Sequence, residues 1–145
     1  MLAKNTVLTG RRAITRSYAK INLTLDVLSK RENGYHDIKM IMQTVSLFDL
    51  ILVDKTHRGI SISTNLPYLP CNEKNIAYKA ADTFFKATGI RGGAKIVIHK
   101  NIPVAAGLAG GSGNCAAVLT AMNMLHGNPL SNDELMHIGA SLGAD

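Results

Sequence analysis

The part of the sequence best suited to chemistry is the glycine-rich segment at residues 103–114, PVAAGLAGGSGN. Four of the seven residues from Gly107 to Gly113 are glycine, which lets the backbone approach a ligand closely and adopt positive φ. The segment lies between a strand-like stretch and a helical one, where backbone N–H groups converge with the positive end of the helix dipole. That arrangement binds phosphate. Ser112 adds a hydroxyl that can bind a phosphate oxygen or Mg²⁺.

Two familiar phosphate-binding motifs do not fit this segment. A Walker A motif needs a lysine before its Ser or Thr, and Gly111 stands at that position. The dinucleotide fingerprint fails because GxGxxG does not align and no following strand ends in a suitably spaced acidic residue. A tight turn without a ligand is the alternative interpretation, but the position between a strand and a helix favours phosphate binding.

The first half of the chain has the patterns of β-structure. A half-buried strand is predicted by four alternating apolar residues, namely Ile21, Leu23, Leu25 and Val27. Asn33-Gly34 is typical of a tight turn between strands. Residues 40–47 and 50–53 predict two further strands, separated by a break at Phe48-Asp49, and Gly59 introduces a short strand. Residues 64–75 contain Pro67 and Pro70 and predict a loop.

The pattern becomes helical at Asn75. Apolar residues recur at helical spacing until Gly89 ends the helix. Residues 94–99 predict a strand and residues 114–125 an apolar helix. Ser131 begins a last helix, with Glu134 completing a capping box. The fold class is therefore α+β, a single domain with its strands first and its helices later.

The composition is that of an ordinary globular domain. The 145 residues are 46% hydrophobic and 18% charged, with a net charge of +6. This charge fits an anionic partner, although the basic residues are scattered apart from Arg11, Arg12 and Arg16. No apolar run is long enough for a membrane helix, and the first residues lack the apolar core of a secretory signal. Cys71 and Cys115 are predicted to be reduced thiols of a cytoplasmic protein, with no metal-binding spacing.

Three further motifs carry a resemblance to a known family. SYAKINLTLDV at residues 17–27, RENGYH at 31–36 and LGAD at 142–145 occur in order around the glycine-rich segment. Together they resemble the GHMP kinases, and within them the kinases of 4-diphosphocytidyl-2-C-methyl-D-erythritol. The glycine-rich segment alone indicates the superfamily; Lys20-Ile-Asn22 with Gly34-Tyr-His36 is more specific. Where that family usually has a second serine, this chain has Gly113, which leaves only a backbone N–H for a nucleotide contact.

The resemblance implies a fold, a domain organisation and an activity. The fold is that of ribosomal protein S5 domain 2, with a left-handed βαβ unit. Residues 1–13 are expected to be an N-terminal extension, for which disorder is one of the expected states. Residues 14–145 are expected to be a GHMP kinase N-terminal domain that is truncated before a C-terminal domain. The activity is transfer of phosphate from ATP, with Mg²⁺, to the 2-hydroxyl of the cytidine-diphosphate sugar alcohol in non-mevalonate isoprenoid synthesis. No nucleic acid or membrane partner is expected.

The resemblance also implies roles for individual residues. Asp145 is expected to be the catalytic base, with Lys20 beside it, so the chain ending there is expected not to catalyse alone. Asn22 is expected to contact the substrate hydroxyls, and Tyr35 and His36 to bind cytosine by stacking and hydrogen bonds. Ser112 is the expected metal ligand. ATP contacts are expected along the whole segment: Pro103, Val104, Ala105, Ala106, Gly107, Leu108, Ala109, Gly110, Gly111, Ser112 and Gly113.

Two other functions compete with this interpretation. Another GHMP kinase, acting on homoserine, mevalonate or phosphomevalonate, would keep the glycine-rich segment and lose Gly34-Tyr-His36. An RNA-binding domain is suggested by the basic charge and by the ribosomal proteins that share the fold. RNA binding favours clustered basic residues with exposed aromatic ones, and the sequence lacks that combination.

Overall fold

The structure, a computed structural model, describes residues 2–143, with Leu2 described only by its backbone. A 3₁₀ turn at Leu2–Asn5 precedes five strands and three helices in the described part of the chain. In chain order these are β1 (Thr6–Thr9), β2 (Arg12–Lys30), β3 (His36–Thr56), β4 (Gly59–Thr64), α1 (Ile76–Thr88), β5 (Gly93–His99), α2 (Gly110–Leu125) and α3 (Asn132–Ser141). None of the helices is long and apolar enough to cross a membrane.

The strands form one mixed sheet in the order β1-β2-β3-β5-β4. Neighbouring strands are antiparallel except β4 and β5, which are parallel and are joined through α1. The predicted βαβ unit is therefore present, and its left-handedness stays a prediction. The α+β class is confirmed, and α1 precedes the last strand, as the sequence predicts.

The core lies between the sheet and helices α1 and α2. Alternate residues of β3 and β5 are buried, including Ile51, Val53, Ile96 and Ile98, because successive side chains of a strand point to opposite faces. The facing helices present mainly small residues, such as Ala77 and Ala117. Burying each large aliphatic side chain contributes about 1.5–3 kcal/mol, so this layer is the main source of the domain's stability.

The helix ends follow from local sequence. The Asn75 side chain caps α1 by accepting from the Ala77 N–H, and Gly89 ends it at φ +67°. Ser131 and Glu134 form the predicted capping box of α3. Helix α2 begins at Gly110 rather than at Asn114, so the last four residues of the predicted loop, 110–113, form its first turn.

The predicted strand break at Phe48-Asp49 is wrong. Strand β3 continues without interruption from His36 to Thr56, and the Asp49 side chain is fully buried within it. A charged residue in an apolar run signals a break only if it must reach water. Asp49 does not, because it has a buried ionic partner.

The N-terminal residues belong to the sheet. Disorder was one expectation for residues 1–13, but Thr6–Thr9 form β1 and pair with β2 from Thr15 to Arg12. The Thr6 hydroxyl also shares a buried hydrogen bond of 2.7 Å with that of Thr15.

The prediction that β2 has a half-buried face from Ile21 onward is also wrong. From Ile21 onward β2 is exposed on both faces, and Leu23, Leu25 and Val27 are each more than half exposed. Beyond this point β2 and β3 form a two-stranded ribbon that extends past the helices, with its turn at residues 31–35. Alternation predicts two unlike faces, and it does not determine whether either is covered.

Gly93 provides a test of how closely β4 and β5 are joined. A Cβ at this position would lie 2.4 Å from backbone atoms of Arg58 and Gly59. We expect Gly93→Ala to lower the free energy of unfolding by roughly 1–3 kcal/mol, the usual range for overpacking, measured by urea denaturation. Gly92→Ala is the matched control, because its nearest neighbours would be at an ordinary 3.7 Å. Equal stabilities of the two variants would contradict this packing.

Candidate active site

The glycine-rich segment lines a cavity of about 510 Å³. One wall consists of residues 103–112 together with Asn114, and the opposite wall includes Pro70, Lys74 and Asn75. Lys100 and Gly143 also reach the cavity. All the predicted nucleotide-binding residues therefore line one cavity except Gly113, which faces away from it.

The backbone of the segment presents a free helix N-terminus to this cavity. Ala105, Gly107 and Ala109 have φ of +58°, +73° and +59°, so left-handed residues alternate up to the start of α2. Ala109 is the N-cap and has no side chain that can cap the helix, and the first turn carries no acidic residue. The N–H groups of the first turn, from Gly110 to Ser112, therefore remain available to an anion.

The structure brings Lys20 and Asn22 together beside this segment. The Lys20 backbone N–H donates to the Leu108 carbonyl at 3.1 Å, which ties β2 to the loop. The Lys20 ammonium donates to Asn22 Oδ1, also at 3.1 Å. Both residues sit where the packed part of the sheet gives way to the exposed ribbon. They are thus placed next to the start of α2, although neither lines the cavity itself.

The structure places Tyr35 and His36 far from Lys20 and Asn22. His36 pairs with Lys30 at the far end of the ribbon, ten residues along β2 from Lys20, or roughly 30 Å of strand. The turn is held by the Tyr35 N–H, which donates to Asn33 Oδ1 at 3.1 Å. The Tyr35 side chain is 74% exposed.

The predicted base, Asp145, lies outside the described residues. No other carboxylate replaces it among the residues that line the cavity in the described part of the chain. The oxygen-bearing side chains there are Thr64, Asn75, Ser112 and Asn114.

A buried ion pair beneath the loop was missed from the sequence. The Lys100 ammonium donates to one carboxylate oxygen of Asp49, and both side chains are almost wholly buried. The other oxygen accepts the backbone N–H groups of Asn101 at 2.7 Å and Ile102 at 2.8 Å. The signals available were an acidic residue inside an apolar run and a lysine just before the glycine-rich segment.

Asn65 holds Lys100 from the other side. Its amide accepts the Lys100 backbone N–H at 2.7 Å and donates to the Lys100 carbonyl at 3.1 Å. The backbone that leads from β5 into the loop is therefore fixed at three consecutive residues, 100–102. Loops are usually mobile because few contacts restrain them, and this one starts from a restrained point.

Lys100 also approaches the start of α2. A Cβ on Gly110 would lie 3.1 Å from its Nζ. Two positive groups, the ammonium and the helix N-terminus, thus meet at one point. Asp49 compensates the first of them, and the second is exposed to the cavity. The electrostatics of the cavity therefore favour an anion.

The thiol next to this site is not a nucleophile. Cys115 lies in α2 directly after Asn114 and is buried. Burial raises the pKa of the Cys115 thiol to about 11, so it is protonated at neutral pH and unreactive. The described residues also contain no group of three or more His, Cys, Asp or Glu side chains that could hold a metal ion.

Comparison with known proteins agrees with this geometry. Residues 75–145 match the family described as GHMP kinases N terminal domain. The 4-diphosphocytidyl-2-C-methyl-D-erythritol kinase of Clostridium botulinum (strain Alaska E43 / Type E3) is 51% identical over 130 residues, 90% of this chain and 46% of that protein. The kinase of the same name from Caldicellulosiruptor saccharolyticus is 51% identical over 133 residues, again covering 46% of its length.

Solved structures give the same assignment. A crystal structure of 4-(cytidine 5'-diphospho)-2C-methyl-D-erythritol kinase superposes with a TM-score of 0.79 at 36% identity, over 91% of this chain and 46% of that one. Homoserine kinase from Cytophaga hutchinsonii has a TM-score of 0.74 at 19% identity, which shows a shared fold alone.

Residues 75–145 are therefore similar to the N-terminal domain of GHMP kinases. Over most of its length the chain is similar to the N-terminal half of 4-diphosphocytidyl-2-C-methyl-D-erythritol kinases. It spans about half the length of the curated relatives that it matches.

The buried ion pair makes a testable contribution to stability. Asp49→Asn keeps the shape and one acceptor but leaves the Lys100 ammonium buried without a counter-charge. We expect a loss of roughly 3–5 kcal/mol in the free energy of unfolding, measured by urea denaturation. Asp54→Asn is the control on the same strand, since it breaks the more exposed Arg12–Asp54 pair and should cost at most about 1 kcal/mol. If Asp49→Asn lowers the free energy of unfolding by less than about 1 kcal/mol, the buried pair is dispensable.

Proposed function

We propose that the protein is an ATP-dependent small-molecule kinase whose substrate is 4-diphosphocytidyl-2-C-methyl-D-erythritol. The observation that carries the proposal is the hydrogen bond from Lys20 to Leu108. It joins the strand bearing the family's lysine to a loop that ends in an uncapped helix N-terminus. Relatives about 50% identical over 90% of the chain bear the name of this kinase.

The loop is suited to the phosphates of ATP. Phosphoryl transfer is catalysed mainly by positioning and by charge stabilisation. Residues 110–112 line the cavity, and their N–H groups would bind phosphate oxygens. Pro70, Asn75 and Ile76 also line the cavity, and the nucleoside would pack against them.

A magnesium ion is expected with the nucleotide. Mg²⁺ prefers oxygen ligands and commonly combines a few protein groups with substrate phosphates and water. Ser112 offers its hydroxyl, and the buried Oδ1 of Asn114 has no hydrogen-bond partner in the described structure. Both residues line the cavity, and their oxygens are of the type that would hold such an ion, which would neutralise part of the phosphate charge.

Lys20 and Asp145 are the proposed catalytic residues. The Lys20 ammonium would stabilise charge on the transferring phosphoryl group and hold the carboxylate of Asp145 ionised. Asp145 would accept the proton of the attacking 2-hydroxyl. The Asn22 amide, already hydrogen-bonded to Lys20, would orient the substrate hydroxyls.

The ribbon is the proposed site for the cytosine. An exposed Tyr35 can stack on a base, which is worth roughly 1–3 kcal/mol, and His36 can bond its edge. Bringing this turn to the cavity requires the ribbon to bend. Register shifts between Tyr18 and Lys20, Asn22 and Thr24, and Val27 and Ser29 are irregularities at which a two-stranded ribbon bends.

The direct test is a coupled assay of ADP release by the full-length protein with ATP and Mg²⁺. We expect turnover of 4-diphosphocytidyl-2-C-methyl-D-erythritol and about 5- to 150-fold lower kcat/KM for methylerythritol phosphate, since base recognition contributes about 1–3 kcal/mol. Homoserine and mevalonate serve as the competing substrates. Equal use of the compound without cytidine would refute the substrate assignment, and preference for homoserine or mevalonate would replace it.

The role of Lys20 is tested in the same assay. Lys20→Ala should lower kcat by at least ~10²-fold with little change in the KM for ATP, because the lost interaction belongs to the transition state. Lys95→Ala, an exposed lysine of β5 outside the cavity, is the control. A near-normal kcat in Lys20→Ala would make this residue an ordinary strand lysine.

A further inference from the structure

Helix α2 approaches strand β2 more closely at Gly113 than any side chain would allow. A Cβ built on Gly113 would lie 2.5 Å from the Ser17 hydroxyl oxygen, far inside an ordinary carbon–oxygen contact. Its φ is not in the left-handed region, so the backbone itself would accept another residue. The contact with Ser17 is therefore what requires glycine here.

The Ser17 hydroxyl gains nothing from this burial. Its side chain is 1% exposed, and its oxygen has no hydrogen-bond partner in the described structure. A buried polar group without a partner is destabilising. The contact is therefore steric, and removing the hydroxyl alone costs no hydrogen bond.

The contact between Ser17 and Gly113 lies close to both Lys20 and the start of α2. Ser17 lies three residues before Lys20 on β2, and Gly113 lies three residues after Gly110 at the end of the first turn of α2. The Gly113 N–H closes that turn by donating to the Ala109 carbonyl at 2.8 Å. Any displacement of Gly113 from β2 therefore moves the N–H groups of residues 110–112 relative to Lys20.

We propose that Gly113 is a positioning residue, and that its contact with Ser17 sets the separation between the phosphate-binding helix start and Lys20. The inference rests on the proposed function, because it treats that helix start as the ATP site. The residue at 113 then acts through its lack of a side chain rather than as a ligand. Its absence from the cavity wall agrees with this role.

The two positions should be coupled. Gly113→Ala adds a methyl group against Ser17 and pushes the helix start outward. In the double variant Ser17→Ala/Gly113→Ala the nearest remaining atom is the Cβ of residue 17, at an ordinary 3.9 Å. A methyl at 113 is therefore tolerated when the hydroxyl at 17 is absent. This is the non-additivity expected of two residues in direct contact.

The experiment measures the dissociation constant of ATP by calorimetry on the full chain and on three variants. We expect Gly113→Ala to weaken binding about tenfold, a misplacement effect. Ser17→Ala should stay within about twofold of the parent, and the double variant should recover to within about threefold. Titrations are made well below the melting temperature of each variant, so that only the folded state is sampled.

Gly139→Ala is the matched control for a purely structural effect. It also adds a methyl to a helical glycine, with its nearest neighbour, Leu119 Cδ1, at 3.9 Å. Replacing a helical glycine by alanine gains about 1 kcal/mol of helix propensity at either position. A structural role alone would lower the melting temperature of Gly113→Ala and leave the ATP affinity of its folded state unchanged.

The outcomes separate the inference from the proposed function. A parent chain that does not bind ATP refutes the proposed function and the inference with it. A parent that binds, with Gly113→Ala binding equally well, overturns the positioning role alone. A loss that Ser17→Ala fails to restore also overturns it, because the cause would then be something other than this contact.

Discussion

The site depends on a buried ion pair between strand β3 and the residue that follows β5. Removing Asp49 and Lys100 from water is costly, and their mutual attraction offsets that cost only with good geometry and additional hydrogen bonds. Asp49 obtains these from the N–H groups of Asn101 and Ile102. One carboxylate thus neutralises a lysine and anchors the two backbone groups from which the glycine-rich loop departs. The position of the loop follows from the sheet and not from the loop's own conformation.

This anchoring explains how a glycine-rich segment can be a defined site. Glycines and left-handed residues loosen a backbone as readily as they shape it. Here the loop is held at its start by Asp49, near its middle by the Lys20–Leu108 hydrogen bond, and at its end by the close approach of Gly113 to Ser17. All three restraints come from β2 and β3. The two strands that carry the proposed catalytic and substrate-binding residues therefore also position the proposed phosphate-binding groups.

The features that could be predicted from the sequence are those that depend on residues close to one another in the chain. The capping box at Ser131, the end of α1 at Gly89, the turn at Asn33-Gly34 and the glycine-rich loop before α2 depend on neighbours a few residues apart, and their sequence signals were sufficient. The continuity of β3 depended on a partner 51 residues away, so Asp49 looked like a strand end. The packing of Gly113 depended on Ser17 across the sheet–helix interface, and no spacing in the sequence reveals it. The roles of Lys20, Tyr35 and His36 came only from resemblance and stay predictions.

The exposed ribbon differs from the packed part of the sheet in how its apolar residues are covered. Its apolar residues alternate as in a half-buried strand, yet Leu23, Leu25 and Val27 are open to solvent, and the relatives are about twice as long as this chain. Lys20 and Asn22 stand where the packed sheet becomes this ribbon. On one side of that boundary Asp49 and the core fix the proposed phosphate-binding groups, and on the other the register shifts are points at which the ribbon departs from a regular ladder. A kinase needs rigid phosphate groups and a substrate-binding part that can close over the acceptor. In the proposed kinase, the change in packing along β2 would supply both within one strand.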